Sequence, residues 1–105
     1  MGTERYDYLM LGIRIKTEDL TNLNDLQETI DEHKYLKMYT INHNLKGWTY
    51  IGKELIYADR YKGFGSYEIP EINDHIKSKV YREIRLATNI RDIDVPVLWI
   101  FTEWN

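Results

Sequence analysis

Three histidines, two serines and a surplus of carboxylates are the side chains of this sequence that could do chemistry. His33, His43 and His75 are scattered, and none has another histidine one helical turn away. A zinc site wants about four N, S or O ligands, and the chain has no cysteine to supply thiolates. No metal site and no cofactor are expected. Ser66 and Ser78 stand in no nucleophile-elbow pattern. The glycines of GFGS (63–66) could offer backbone N–H groups to a phosphate, but the longer spacing and the Lys-Ser/Thr of a P-loop are missing. Asp7, Glu54 and Glu103 fall in strand-like segments, where alternation puts them near a rim or on an exposed face. No residue is assigned a catalytic role.

What remains is recognition. The chain carries nine tyrosines, three tryptophans and two phenylalanines. Tyrosine suits surfaces that are half wet and half buried. The densest stretch is KGWTYIGKELIY (46–57), with a basic residue, a glycine and then aromatics at alternate positions. Such a strand either presents rings to a partner or packs them, and the surrounding elements decide which.

Residues 5–16, RYDYLMLGIRIK, read as a strand apolar on both sides, hence central. Leu9, Leu11, Ile13 and Ile15 share one face; Tyr6, Tyr8, Met10, Gly12 and Arg14 share the other. Residues 17–33 follow with leucines at helical spacing, Thr17 as a cap, and Asn22 and Asn24 as points where the helix could divide. Residues 35–42 and 48–57 form a hairpin around HNLKG. Tyr35, Lys37, Tyr39 and Ile41 share one face of its first strand, and Trp48, Tyr50, Glu54 and Ile56 one face of its second. Residues 58–68 read as a glycine-containing loop around Phe64. Pro70 sits where a first helical turn favours proline, and Ile69, Ile72, Ile76, Val80, Ile84 and Ala87 trace the apolar stripe of a helix over 70–88. Lys77, Lys79, Arg82 and Arg85 make its outer face basic. Residues 95–104 are the last strand.

The order β-α-β-β-α-β predicts an α+β fold: a ferredoxin-like sandwich with four antiparallel strands in the order 4-1-3-2 and both helices on one face. The 105 residues make a single domain, 1–105. One sheet face is then free of helices. It should gather Tyr6, Tyr8, Tyr35, Tyr39, Trp48 and Tyr50, with Arg14, Lys46 and Lys53 to orient an anionic group and Phe64 in the adjoining loop. Replacing Trp48 and Tyr50 by alanine is expected to abolish binding and leave the fold intact.

Charge narrows the partners. Fourteen basic against seventeen acidic residues leave a net charge of −3. Binding a phosphate backbone relies on displacement of counterions by Lys and Arg, so nucleic acid is not the favoured partner. No segment approaches the ~20 apolar residues of a membrane span. With no signal peptide read at the start, the protein is expected in the cytoplasm and not at a membrane.

Two resemblances bear on function. Lys46, Gly47, Trp48, Tyr50 and Ile51 resemble the third strand of RNA-recognition motifs, which share this element order. Thr49 stands where Gly or Ala is usual, and Lys53 where an aromatic is. Lys62, Gly63, Phe64 and Gly65 resemble the same pattern in the loop before the second helix. RYDYLMLG, GWTYIGKELIYADRYKGF and LWIFTEW resemble the short, Tyr- and Lys-rich uncharacterised proteins that phages encode. That resemblance implies a non-enzymatic binding protein that blocks a host (defence) protein or sequesters a nucleotide signal, here through the aromatic face. The other readings are a single-stranded RNA- or DNA-binding domain and a small hydrolase of ferredoxin-like fold. Such a hydrolase would want an Arg in the loop after the first strand, and Arg14 lies inside that strand. A homo-oligomer is expected, by covering of the aromatic face with a second copy.

Overall fold

The computed structural model describes residues 4–43, 46–58 and 64–104, with the side chains of Asn42, His43 and Lys46 outside that description. Four strands form one antiparallel sheet: β1 (Arg5–Lys16), β2 (Lys37–His43), β3 (Lys46–Ala58) and β4 (Val97–Trp104). A 3₁₀ turn (Thr17–Asp19) and helix α1 (Leu23–Asp31) follow β1, and α2 (Asp74–Thr88) precedes β4. The sheet order is β2-β3-β1-β4, so β1 and β3 are central. Among the described residues no helix is long and apolar enough to cross a membrane.

The apolar periodicity of each element explains what it buries. Ile30 of α1 and Val80 and Ile84 of α2 meet Leu11, Ile13, Met38 and Ile51 on one face of the sheet. α2 lies over β1 and β3, and α1 against β2. The alternation read in β1 is therefore correct: its odd residues meet the helices and its even ones point away. Beneath the 3₁₀ turn, the Thr49 hydroxyl, fully buried, links Thr17 at 3.0 Å and Thr40 at 3.1 Å.

The first helical region divides beside Asn22, one of the two points read for it: the 3₁₀ turn and α1 are separated at Leu20–Asn22. Other boundaries differ from the sequence reading. α2 starts at Asp74 and not at Pro70, because the Asn73 side chain accepts from the Ile76 N–H at 2.9 Å and caps the helix there. Tyr35 lies before β2. His33 Nδ1 accepts from the N–H groups of Tyr35 and Leu36 at 3.0 and 3.1 Å and turns the chain after α1, while its Nε2 lies 3.3 Å from Glu83 on α2. That histidine is a pin between helices.

Candidate functional site: the helix-free face

Register builds this face residue by residue. Tyr50 lies opposite Arg14 on β1 and opposite Tyr39 on β2. Trp48 lies opposite Lys16 and Ile41. From the other edge, Phe101 lies opposite Tyr8 and Trp99 opposite Met10. Directly opposed residues share a face. The result is a second apolar cluster: Tyr8, Met10, Ile41, Tyr50 and Phe101, edged by Tyr6, Tyr39, Trp48 and Trp99.

The rings close this face by lying over one another. Tyr50 and Phe101 stack with centroids 4.0 Å apart and planes at 13°. Phe101 stacks on Tyr8 at 5.1 Å, and Tyr39 covers Tyr8 at 4.2 Å. Tyr8, Tyr50 and Phe101 are consequently only 4%, 8% and 8% exposed. Tyr50 is thus a core residue, so the expectation that the Trp48/Tyr50 double alanine variant would keep its fold does not suit this geometry.

The two ends of the face differ in chemistry. At one, the Arg14 guanidinium lies 3.8 Å from the ring centroid of Trp48 and 4.7 Å from that of Trp99. Trp99 is itself held by donation from Nε1 to the Gly12 carbonyl at 3.1 Å. That indole stands beside the row where Gly12 and Gly52 face each other across β1 and β3. A Cβ on Gly12 would come within 2.7 Å of the Gly52 Cα, so only glycine fits there. At the other end, the Tyr39 hydroxyl donates to Glu54 Oε1 at 2.5 Å and the Tyr8 hydroxyl to Glu103 Oε1 at 3.2 Å. Burial, and then the adjacent carboxylates, push both phenols well above the ordinary tyrosine range.

Of the residues assigned to this face from sequence, Tyr6, Tyr8, Arg14, Tyr39, Trp48 and Tyr50 lie on it. Tyr35, Lys53 and Phe64 do not. Tyr35 packs against the helix-side core, because the alternation of β2 begins two residues after it. Lys53 lies opposite Leu11, also on the helix side, with Nζ 5.2 Å from the Tyr35 ring. Phe64 lines a recess with Leu9, Ile56 and Ile100, again on that side. The Lys46 side chain, Lys62 and Gly63 lie outside the described residues.

Ile56 is a further correction. Leu9 opposes Ile56 while Met10 opposes Glu54, so Leu55 is an extra residue in β3. This bulge reverses the phase of the residues beyond it. Ile56 turns to the helix side, and Tyr57 joins the aromatic face, 5.5 Å from Tyr8 and 5.9 Å from Tyr6 between ring centroids. Sequence reasoning also left out Trp99 and Phe101. Their signal was the alternation Trp99-Phe101-Glu103 in the last strand, which needs only the pairing of β4 with β1 to give it a face.

Among the described residues no group of three or more His, Asp or Glu side chains is placed to hold a metal ion. No family model matches the chain, and neither a curated protein nor a solved structure matches it.

Proposed function

We propose that this chain is a ferredoxin-like, non-enzymatic binding protein whose helix-free face docks on another protein, with Arg14 and Trp48 at the centre of the contact. Arg14 carries the reading. Its guanidinium lies 3.8 Å from the ring centroid of Trp48 and 4.7 Å from that of Trp99, and among the described residues no carboxylate or other acceptor is bonded to it. Two tyrosines at the far end of the same face already have carboxylates as partners. An arginine fixed in this way keeps its fork of donors for a partner's carboxylate and loses little entropy on engaging it. Trp, Tyr and Arg are also the residue types that dominate binding energy in protein interfaces.

Base stacking is the weaker reading. A nucleotide ring or a single-stranded base needs an aromatic face open to it. The central rings are packed ring on ring and nearly excluded from solvent. Together with the resemblance to small phage-encoded proteins, the docking face suits a factor that occupies and blocks a host protein in the cytoplasm.

The test is retention of a partner by the tagged full chain, compared with its Arg14→Ala variant. The expected result is one host protein held in a fixed ratio and bound about 30-fold or more weakly by the variant, the loss typical of an interface anchor. Release of a nucleotide or RNA from the purified protein on denaturation, with no protein partner, would decide for the stacking reading.

A further inference from the structure

β4 is an edge strand built without the usual protections of an edge. Such strands are normally blunted by Lys, Pro, a bulge or very short length. Val97–Trp104, VLWIFTEW, is eight residues long and contains no Lys, Arg, Pro or Gly. Its pairing with β1 runs without a break in register. Its outer side is unpaired among the described residues.

The helix layer also stops short of it. With α2 over β1 and β3, the apolar helix-side residues of β4 are exposed: Ile100 is 69% exposed and Leu98 44%. Tyr67 and Ile69 continue this apolar strip beside Ile100. Apart from Tyr57 and Leu86, every exposed large apolar side chain among the described residues lies on this strand, at Val95 just before it, or at these two positions. Concentration of that kind marks a contact surface.

We infer that the occupant is a second copy of this chain: β4 pairs with β4 of the copy, antiparallel about a two-fold axis through Ile100, making one eight-stranded sheet. The strand is self-complementary in that register. Opposed residues share a face, so helices stay with helices and aromatic face with aromatic face. Ile100 meets Ile100 of the copy on the helix side. Trp99 meets Phe101 of the copy on the aromatic side, twice by symmetry, which is a favourable cross-strand pair. Glu103, the only charged residue of the strand, faces Val97 of the copy, and the two Glu103 carboxylates stand ~20 Å apart along the strands at ~3.4 Å per residue. No like charges oppose each other. The two aromatic faces become one continuous surface.

Light scattering on the eluting full chain, over a concentration series, tests this inference. The expected mass is about twice the 12.7 kDa of one chain. Ile100→Lys should elute as a single chain with an unchanged circular dichroism spectrum, since the side chain it replaces is solvated. Arg14→Ala should stay paired. The sequence has no cysteine, so Ile100→Cys introduces one thiol. In this register two such Cα atoms lie ~4.5–5.5 Å apart, within the span of a disulfide. It should oxidise to a covalent dimer well before Leu86→Cys, which is exposed on α2. A single-chain mass for the wild type at every concentration overturns the inference. So does a dimer that survives Ile100→Lys, or one that Arg14→Ala dissociates. Cross-linking of Ile100→Cys no faster than Leu86→Cys overturns the register.

Discussion

The two faces of the sheet reach the same dryness by different means. On one, Leu11, Ile13 and Ile51 are covered by a separate layer, the helices that bring Ile30, Val80 and Ile84. On the other, Met10 is fully buried although no described helix lies over it. Its cover is the ring system of Tyr8, Tyr50, Phe101 and Trp99. Aliphatic side chains are too short to roof a sheet alone, whereas aromatic rings can lie across their neighbours. A face closed in this way is core underneath and surface on top. That is why residues such as Tyr50 look like binding residues in the sequence and act as packing in the fold, while Arg14 and Trp48 are only half-buried.

Truncating one buried side chain on each face tests this contrast. Phe101→Ala should cost about 3–5 kcal/mol in denaturant unfolding, comparable with about 2–5 kcal/mol for Ile84→Ala under the helices. A cost near zero for Phe101→Ala would make the aromatic face mere surface. Gly12→Ala should cost about 1–3 kcal/mol, because the new methyl meets the opposing strand where Gly52 approaches. Tyr39→Phe should cost about 1 kcal/mol, since it strands Glu54 without its phenol donor.

The alkaline limb sharpens the same contrast. Tyr8 and Tyr39 hold their protons more tightly folded than unfolded. Unfolded tyrosines ionise near pH ~10. Their contribution is therefore complete below that pH and is lost as pH rises towards the folded values. Stability should fall above pH ~10, and the Tyr8→Phe/Tyr39→Phe double variant should flatten that fall. An equal slope in wild type and variant would show that these phenols are not shielded. The smallest effect belongs to Lys53→Ala. On the helix side it should leave partner binding unchanged and shift stability by no more than about 0.5 kcal/mol.

Much of this was legible in the chain because local patterns carried it. The two-residue period of 5–16 assigned both faces of β1 before any contact was known, and the isoleucine stripe located α2. Tyr6, Tyr8, Arg14, Trp48 and Tyr50 followed from period and pairing. Tyr35 and Ile56 went astray because each lies beside an irregularity that a period cannot register. Tyr35 precedes the strand because His33 turns the chain there. Ile56 and Tyr57 exchange faces at the extra residue Leu55. Lys53 was placed by its charge, and its face follows from its position opposite Leu11.

The amino-acid order alone fixed the approximate elements, the central place of β1 and a helix-free side rich in rings, because hydrophobic period acts over a few neighbouring residues. Which rings bury one another, the approach of the Trp48 and Trp99 indoles to Arg14 from β3 and β4, and the exposure of Leu98 and Ile100 beyond the helix layer came from three-dimensional packing. Those outcomes depend on strand register and on the reach of the helices across the sheet, which join residues far apart in the chain.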